Sequence, residues 1–111
     1  MPTPRQLPPL SHLQFLALGV ILSAEEPGRV IRDVIADYGV RRTGAAFYQL
    51  MARLERDGFI EGWYEPIVVG DQAVRERRYR ITAAGTRAWR QTRAFYETVA
   101  AAAAQGRLAN A

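Results

Sequence analysis

The spacing of apolar residues changes character along the chain, and each change marks an element. Leu13, Leu16, Ala17, Val20 and Ile21 recur at helical spacing behind a capping Ser11, which predicts a helix from His12 to about Ala24. "EEPG" at 25–28 breaks that pattern. A shorter helix follows from about Arg29 to Tyr38. Val30, Ile31, Val34 and Ile35 form one face, Arg32, Asp33 and Asp37 the other, and Gly39 stands where a left-handed C-cap belongs. After the link "VRR", Thr43 caps a third helix, about Gly44 to Asp57. Its stripe is Phe47, Leu50, Met51 and Leu54, and Gly58 stops it.

The segment "FIEGWYEPIVVGDQAVRERRYRIT" at 59–82 then switches to alternation. It predicts two antiparallel strands, about 59–65 and 75–82, around a turn containing Gly70-Asp71. Tyr79 and Ile81 share one face of the second strand, and Arg78 and Arg80 point the other way. Thr82 caps a last helix from Ala83 to about Gln105, and Gly106 begins a frayed tail. The opening "MPTPRQLPP" has four prolines and no periodicity, so it reads as a flexible arm. The expected organisation is an arm at 1–10, a domain at 11–82, a helix at 83–105 and a tail at 106–111.

Helix, helix, short turn, helix, hairpin is the order of a winged helix-turn-helix. The expected fold class is therefore mainly α with a small β-hairpin, extended by a C-terminal dimerisation helix. An apolar share of 49% is too high for a disordered chain, and 111 residues suit one domain. The chain has no cysteine, which excludes disulfides and thiolate metal sites. No apolar run approaches the ~20 residues of a membrane span, so no membrane partner and a cytoplasmic location are expected. The net charge of +4 matters less than its placement, because arginines cluster at 41–42 and 75–80.

Catalysis finds no constellation. His12 is the one histidine and has no second ligand for a metal. Asp33 and Asp37 are two carboxylates on one exposed helix, and the glycines are spread singly rather than in a phosphate-cradling loop. No enzyme activity and no cofactor are expected.

The segment "TGAAFYQLMARLERDGFI" resembles the recognition-helix segment of PadR-type transcriptional regulators through Tyr48, Met51, Leu54 and the ending Asp57-Gly58-Phe59-Ile60. "RRYRITAAG", with Tyr79, Thr82 and Gly85, is similar to that family's wing strand and next helix, and "LALGVIL" to its first helix. The resemblance covers residues 10 to about 95. Where the family usually opens its second helix with Gly-Tyr, this chain has Gly28-Arg29, and Gln49 replaces the usual Pro after the recognition Tyr.

Such a fold implies double-stranded DNA as partner. The second helix of the motif enters the major groove, where base edges are readable. With its apolar stripe turned inward, the third helix exposes Ala45, Tyr48, Gln49, Ala52 and Arg53 or Arg56. Gln49 suits a bidentate pair with adenine, and Ala45 and Ala52 permit close approach. Arg41, Arg42 and the Thr43 cap lie at the positive end of the helix, suited to phosphate. Arg75, Arg77, Arg78 and Arg80 of the wing are placed to straddle a backbone or enter a minor groove. The bland reading of every one of these arginines is a solvated face.

On the last helix Ala88, Thr92, Phe95, Val99 and Ala102 or Ala103 repeat at near-heptad spacing, with Trp89 and Tyr96 alongside. The resemblance implies that this helix pairs with its twin and with the first helix in a homodimer; folding back on its own domain is the alternative. It also implies a small aromatic effector stacked on Trp89 at the dimer seam, against plain interface packing. The functional expectation is a homodimeric, sequence-specific transcription regulator acting as a repressor. The alternative is a winged-helix protein–protein interaction module without specific DNA binding.

Overall fold

Ser11 closes a capping box. Its Oγ accepts from the Gln14 N–H at 3.2 Å, and Gln14 Oε1 accepts from the Ser11 N–H at 3.0 Å. Helix α1 runs from there over His12–Val20 in a computed structural model that describes residues 6 to 110. The expectation for the arm falls partly on residues 1 to 5, outside the described residues. Leu10, the arm's last residue, is buried in the core.

α1 ends about four residues sooner than its apolar spacing suggests. The Ile21 N–H turns back to the Leu18 carbonyl, and Leu22 to Gly19, tightening the last turn. The chain then delivers Glu26–Pro27 to the sheet as strand β1, opposite Tyr79 and Arg78. The segment read as a breaker is thus a two-residue edge strand. Pro27 is tolerated there because an edge strand can spare its N–H.

Helix α2 (Gly28–Asp37) and helix α3 (Gly44–Arg56) match the expected elements to within a residue. Gly39 and Gly58 both adopt positive φ (91° and 78°), the left-handed conformation that ends each helix. Thr43 Oγ1 accepts from the Ala46 N–H at 3.1 Å. The hairpin strands, β2 (Ile60–Val69) and β3 (Gln72–Ile81), are longer than expected and pair up to Val69↔Gln72. Gly70-Asp71 alone makes the turn. A left-handed Gly70 (φ 63°) before a right-handed Asp71 suits a type II′ turn, whose twist matches the strands. This register points the amide position of Pro66 at the free edge of β2, where a missing N–H blunts further strand pairing.

The sheet order is β1-β3-β2. Thr82 ties the sheet to the last helix. Its Oγ1 donates to the Gly58 carbonyl at 2.6 Å and accepts from the Gly85 N–H at 3.0 Å, linking the end of α3 to the start of helix α4 (Ala83–Ala104). A 3-10 turn at Leu108–Asn110 comes after α4. One core gathers Ala17, Leu18 and Ile21 of α1 and its turn, Ile31 and Ile35 of α2, the expected stripe of α3, and Ile60 and Tyr79 of the sheet. The fold is a winged helix-turn-helix with a C-terminal helix. Among the described residues no helix is long and apolar enough to cross a membrane.

Candidate nucleic-acid interface

The stripe Phe47, Leu50, Met51 and Leu54 is buried, so α3 must turn its remaining residues outward. Ala45, Tyr48, Gln49, Ala52, Arg53 and Arg56 are all exposed, as are Arg41, Arg42 and Thr43 before the helix. Tyr48 is 56% exposed, so its ring is no part of the core. The linker is held from α2: Arg32 Nη2 donates to the Arg42 carbonyl at 2.8 Å. Arg41, Arg42 and Arg53 have no carboxylate within 4 Å among the described residues. Three full cations therefore flank the exposed surface of α3.

The wing arginines differ from these. In the β2–β3 register, Tyr64↔Arg77 and Gly62↔Tyr79 share the face that continues into the core, and Trp63↔Arg78 and Glu61↔Arg80 share the opposite face. Arg80 donates from Nε and Nη2 to Glu61 Oε2 at 2.9 and 2.7 Å. Arg78 is not turned out to solvent. Its side chain is 21% exposed among Glu25 (3.8 Å), Glu65 (3.5 Å) and Glu76 (3.6 Å). Glu76 also accepts from Arg29 Nε at 2.8 Å, so Arg29 joins α2 to the wing.

Arg77 reaches α3 itself. Its Nη2 donates to Glu55 Oε1 at 2.7 Å. Burial works against the charge on Arg77, but Glu55 and Tyr79 together outweigh it and hold the guanidinium above its ordinary pKa. Gly62 leaves the room for this bridge, since a Cβ there would run into both partners. Burial likewise pushes the Tyr79 phenol up, against the opposing pull of Arg77. Arg75 alone of the four has no carboxylate within 4 Å among the described residues; its guanidinium lies over the Tyr64 ring at 4.7 Å. Beyond it the tip carries exposed Val68, Val69 and Val74, with Asp71 as its one charge.

The glutamates that hold the wing arginines were missed by the sequence reading. Glu61 was within reach of it: a two-residue turn at Gly70-Asp71 places Glu61 opposite Arg80. Glu25 and Glu55 come from other elements and left no local signal.

On α4, Ala88 and Thr92 are buried against the chain's own core. Thr92 was expected on the dimer stripe. It is instead 0% exposed, with its Oγ1 donating to the Ala88 carbonyl at 2.8 Å, and it has no surface to offer a partner. Trp89 stacks on Phe15 of α1 (centroids 4.9 Å apart, planes at 15°), and its Nε1 donates to the Phe15 carbonyl at 3.1 Å. Gly19 admits this approach, because a Cβ there would lie 3.3 Å from Trp89 Nε1. Tyr96 joins the cluster edge-on to Phe95. Phe95 and Val99 are half-buried, and no residue of α4 after Thr92 is fully buried. Among the described residues no group of His, Cys, Asp and Glu is placed to hold a metal ion.

No protein-family model matches the chain, and no curated protein does. Solved structures do match its fold. A PadR family transcriptional regulator from Eggerthella lenta superposes with a TM-score of 0.64 at 25% identity, over 84% of this chain and 79% of that one. A PadR family transcription regulator from Clostridium difficile gives 0.72 at 14% identity, over 86% and 97%. Bacillus subtilis PadR, solved in complex with operator DNA, gives 0.57 at 18% identity, over 72% of this chain and 45% of that longer one. The architecture is that of the PadR-type winged helix-turn-helix regulators.

Proposed function

We propose that this protein is a PadR-type transcription regulator that binds double-stranded DNA sequence-specifically as a homodimer and acts as a repressor. The observation that carries the reading is the division among its arginines. Among the described residues Arg41, Arg42 and Arg53, beside the exposed face of α3, have no carboxylate within 4 Å, whereas Arg77, Arg78 and Arg80 on the wing do. Free cations on a groove-sized helix supply the phosphate term of DNA affinity. Gln49 reads a base edge, Ala45 and Ala52 allow the close approach, and Arg41, Arg42, Arg53 and the Thr43 cap contact the backbone. On the wing, Arg75 is the phosphate contact. Arg77, Arg78 and Arg80 orient the wing, with Arg80 also exposed enough to reach a neighbouring strand.

Dimerisation uses the uncovered half of α4. Phe95, Tyr96 and Val99 present apolar surface where the chain offers no cover, and a second copy of the same helix buries it symmetrically. Two recognition helices then face successive major grooves ~34 Å apart. A flat aromatic effector would stack at this seam on Trp89, one face of which Phe15 already covers.

Selection of duplexes from a random pool tests the reading. An inverted-repeat motif is expected, and Gln49→Ala should change the preferred base at one position per half-site. Retention of the parent motif by that variant removes Gln49 from readout. A second reading rests on the wing tip, whose Val68 is 74% exposed. It makes the wing a protein-docking element of an interaction module. Absence of any duplex binding at low ionic strength, with the fold intact, would favour it.

A further inference from the structure

The face of α3 that looks toward the start of α1 borders a half-open groove of about 480 Å³. Four apolar residues, Leu13, Val40, Ala46 and Leu50, line it together with polar Ser11, His12, Gln14 and Gln49. The lining also includes two guanidinium groups, Arg42 and Arg53, and no carboxylate. Neither arginine has an acidic partner within 4 Å among the described residues. Apolar lining beside two guanidinium groups, with no carboxylate among the lining residues, is complementary to one class of small molecule: an organic anion with an apolar body and a single carboxylate or sulfonate head. The volume falls in the range of small-ligand sites, roughly 300–1,000 Å³. The body would remove apolar lining from water, and the head would receive charge-assisted hydrogen bonds from one or both arginines.

We propose that this groove is an effector site for such amphipathic anions, separate from the aromatic cluster around Trp89. The Trp89 ring is already engaged, stacked on Phe15 and bonded through Nε1 to its carbonyl, whereas the arginines of the groove are not. The groove also shares Gln49, Arg42 and Arg53 with the surface assigned to DNA. A bound anion engages one or both of these phosphate contacts and covers the base-reading side chain, so effector and duplex exclude one another. The site itself stands on the groove; only this competition rests on the DNA-binding reading.

The test uses the full chain and anilinonaphthalene sulfonate, an amphipathic anion that fluoresces in apolar surroundings, beside its neutral phenylnaphthylamine counterpart. Saturable binding of the sulfonate is expected, with the neutral compound about tenfold weaker, as loss of a charge-assisted contact implies. Arg42→Ala with Arg53→Ala should weaken sulfonate binding by a similar factor. Ala46→Trp should block it by filling the groove, and both losses should persist in a Trp89→Phe background, which removes stacking at the α4 seam. Equal affinity for both compounds, no change in the double variant, or a loss confined to Trp89→Phe overturns the site. Duplex DNA is then added to the loaded protein. Release of the probe supports the exclusion, and duplex binding with the probe retained overturns it. Probe binding by a chain that takes up no duplex keeps the site and sinks the regulator reading instead.

Discussion

At Gly85, in the first turn of α4, a Cβ would collide with the Phe59 carbonyl oxygen and lie 2.8 Å from Ile81 Cγ1. The backbones of α4 and of the chain entering β2 touch there because no side chain separates them. Gly85→Ala, a change that favours most helices, should therefore destabilise this one by about 2 kcal/mol or more, seen as a lower midpoint in urea unfolding. Tyr79 gives a pH signature. Its folded pKa is raised by burial above the unfolded value of about 10, so the neutral ring stabilises the fold. That contribution is complete below pH ~10 and is lost as pH climbs through the raised folded value. Tyr79→Phe should remove part of the alkaline loss of stability; identical alkaline unfolding of both proteins would exclude the phenol as its source. At this scale the buried stripe of α3 was legible from periodicity alone. Thr92 was not, because threonine fits an interface and a core alike, and only the α1–α4 packing and its bond to the Ala88 carbonyl decide between them.

Among the elements, the wing shows how charge pairing divides labour. Arg75 and Arg78 are three residues apart on one strand, yet the first lies on Tyr64 and the second among three carboxylates. Arg75→Ala should reduce the slope of log affinity against log salt by about one, with unfolding unchanged. Arg78→Ala leaves Glu25, Glu65 and Glu76 without their shared cation and should lower stability by about 1 kcal/mol or more through carboxylate repulsion. A reversal of these two outcomes, followed by salt titration and thermal melts, would show that Arg78 leaves its carboxylates for DNA. The Glu55–Arg77 bridge fixes the wing against the recognition helix. Glu55→Gln should lower affinity for long duplexes while sparing the base preference set by α3. The helices and their caps were readable in the sequence because they depend on neighbours within four residues. β1 was not: two residues, one of them proline, carry no pattern of their own.

The whole molecule measures 63 × 29 × 22 Å, with a radius of gyration of 17.0 Å where a single rounded domain of this length has roughly 13 Å. The excess fits a hairpin and a 22-residue helix reaching beyond the core. An exposed, partly apolar helix of that kind is stable when a partner covers it, and Val99→Glu with Phe95→Glu should shift the sedimenting species from dimer to folded monomer. Dimer retention by that variant would move the interface elsewhere. By itself the sequence determined the order of the four helices and the hairpin, the three side-chain caps and the outward face of α3, since periodicity, caps and turns are local matters. Only the tertiary structure decided which arginines are free. Glu55 and Arg77 are 22 positions apart and Arg29 and Glu76 are 47, so their attraction exists only after folding brings them together.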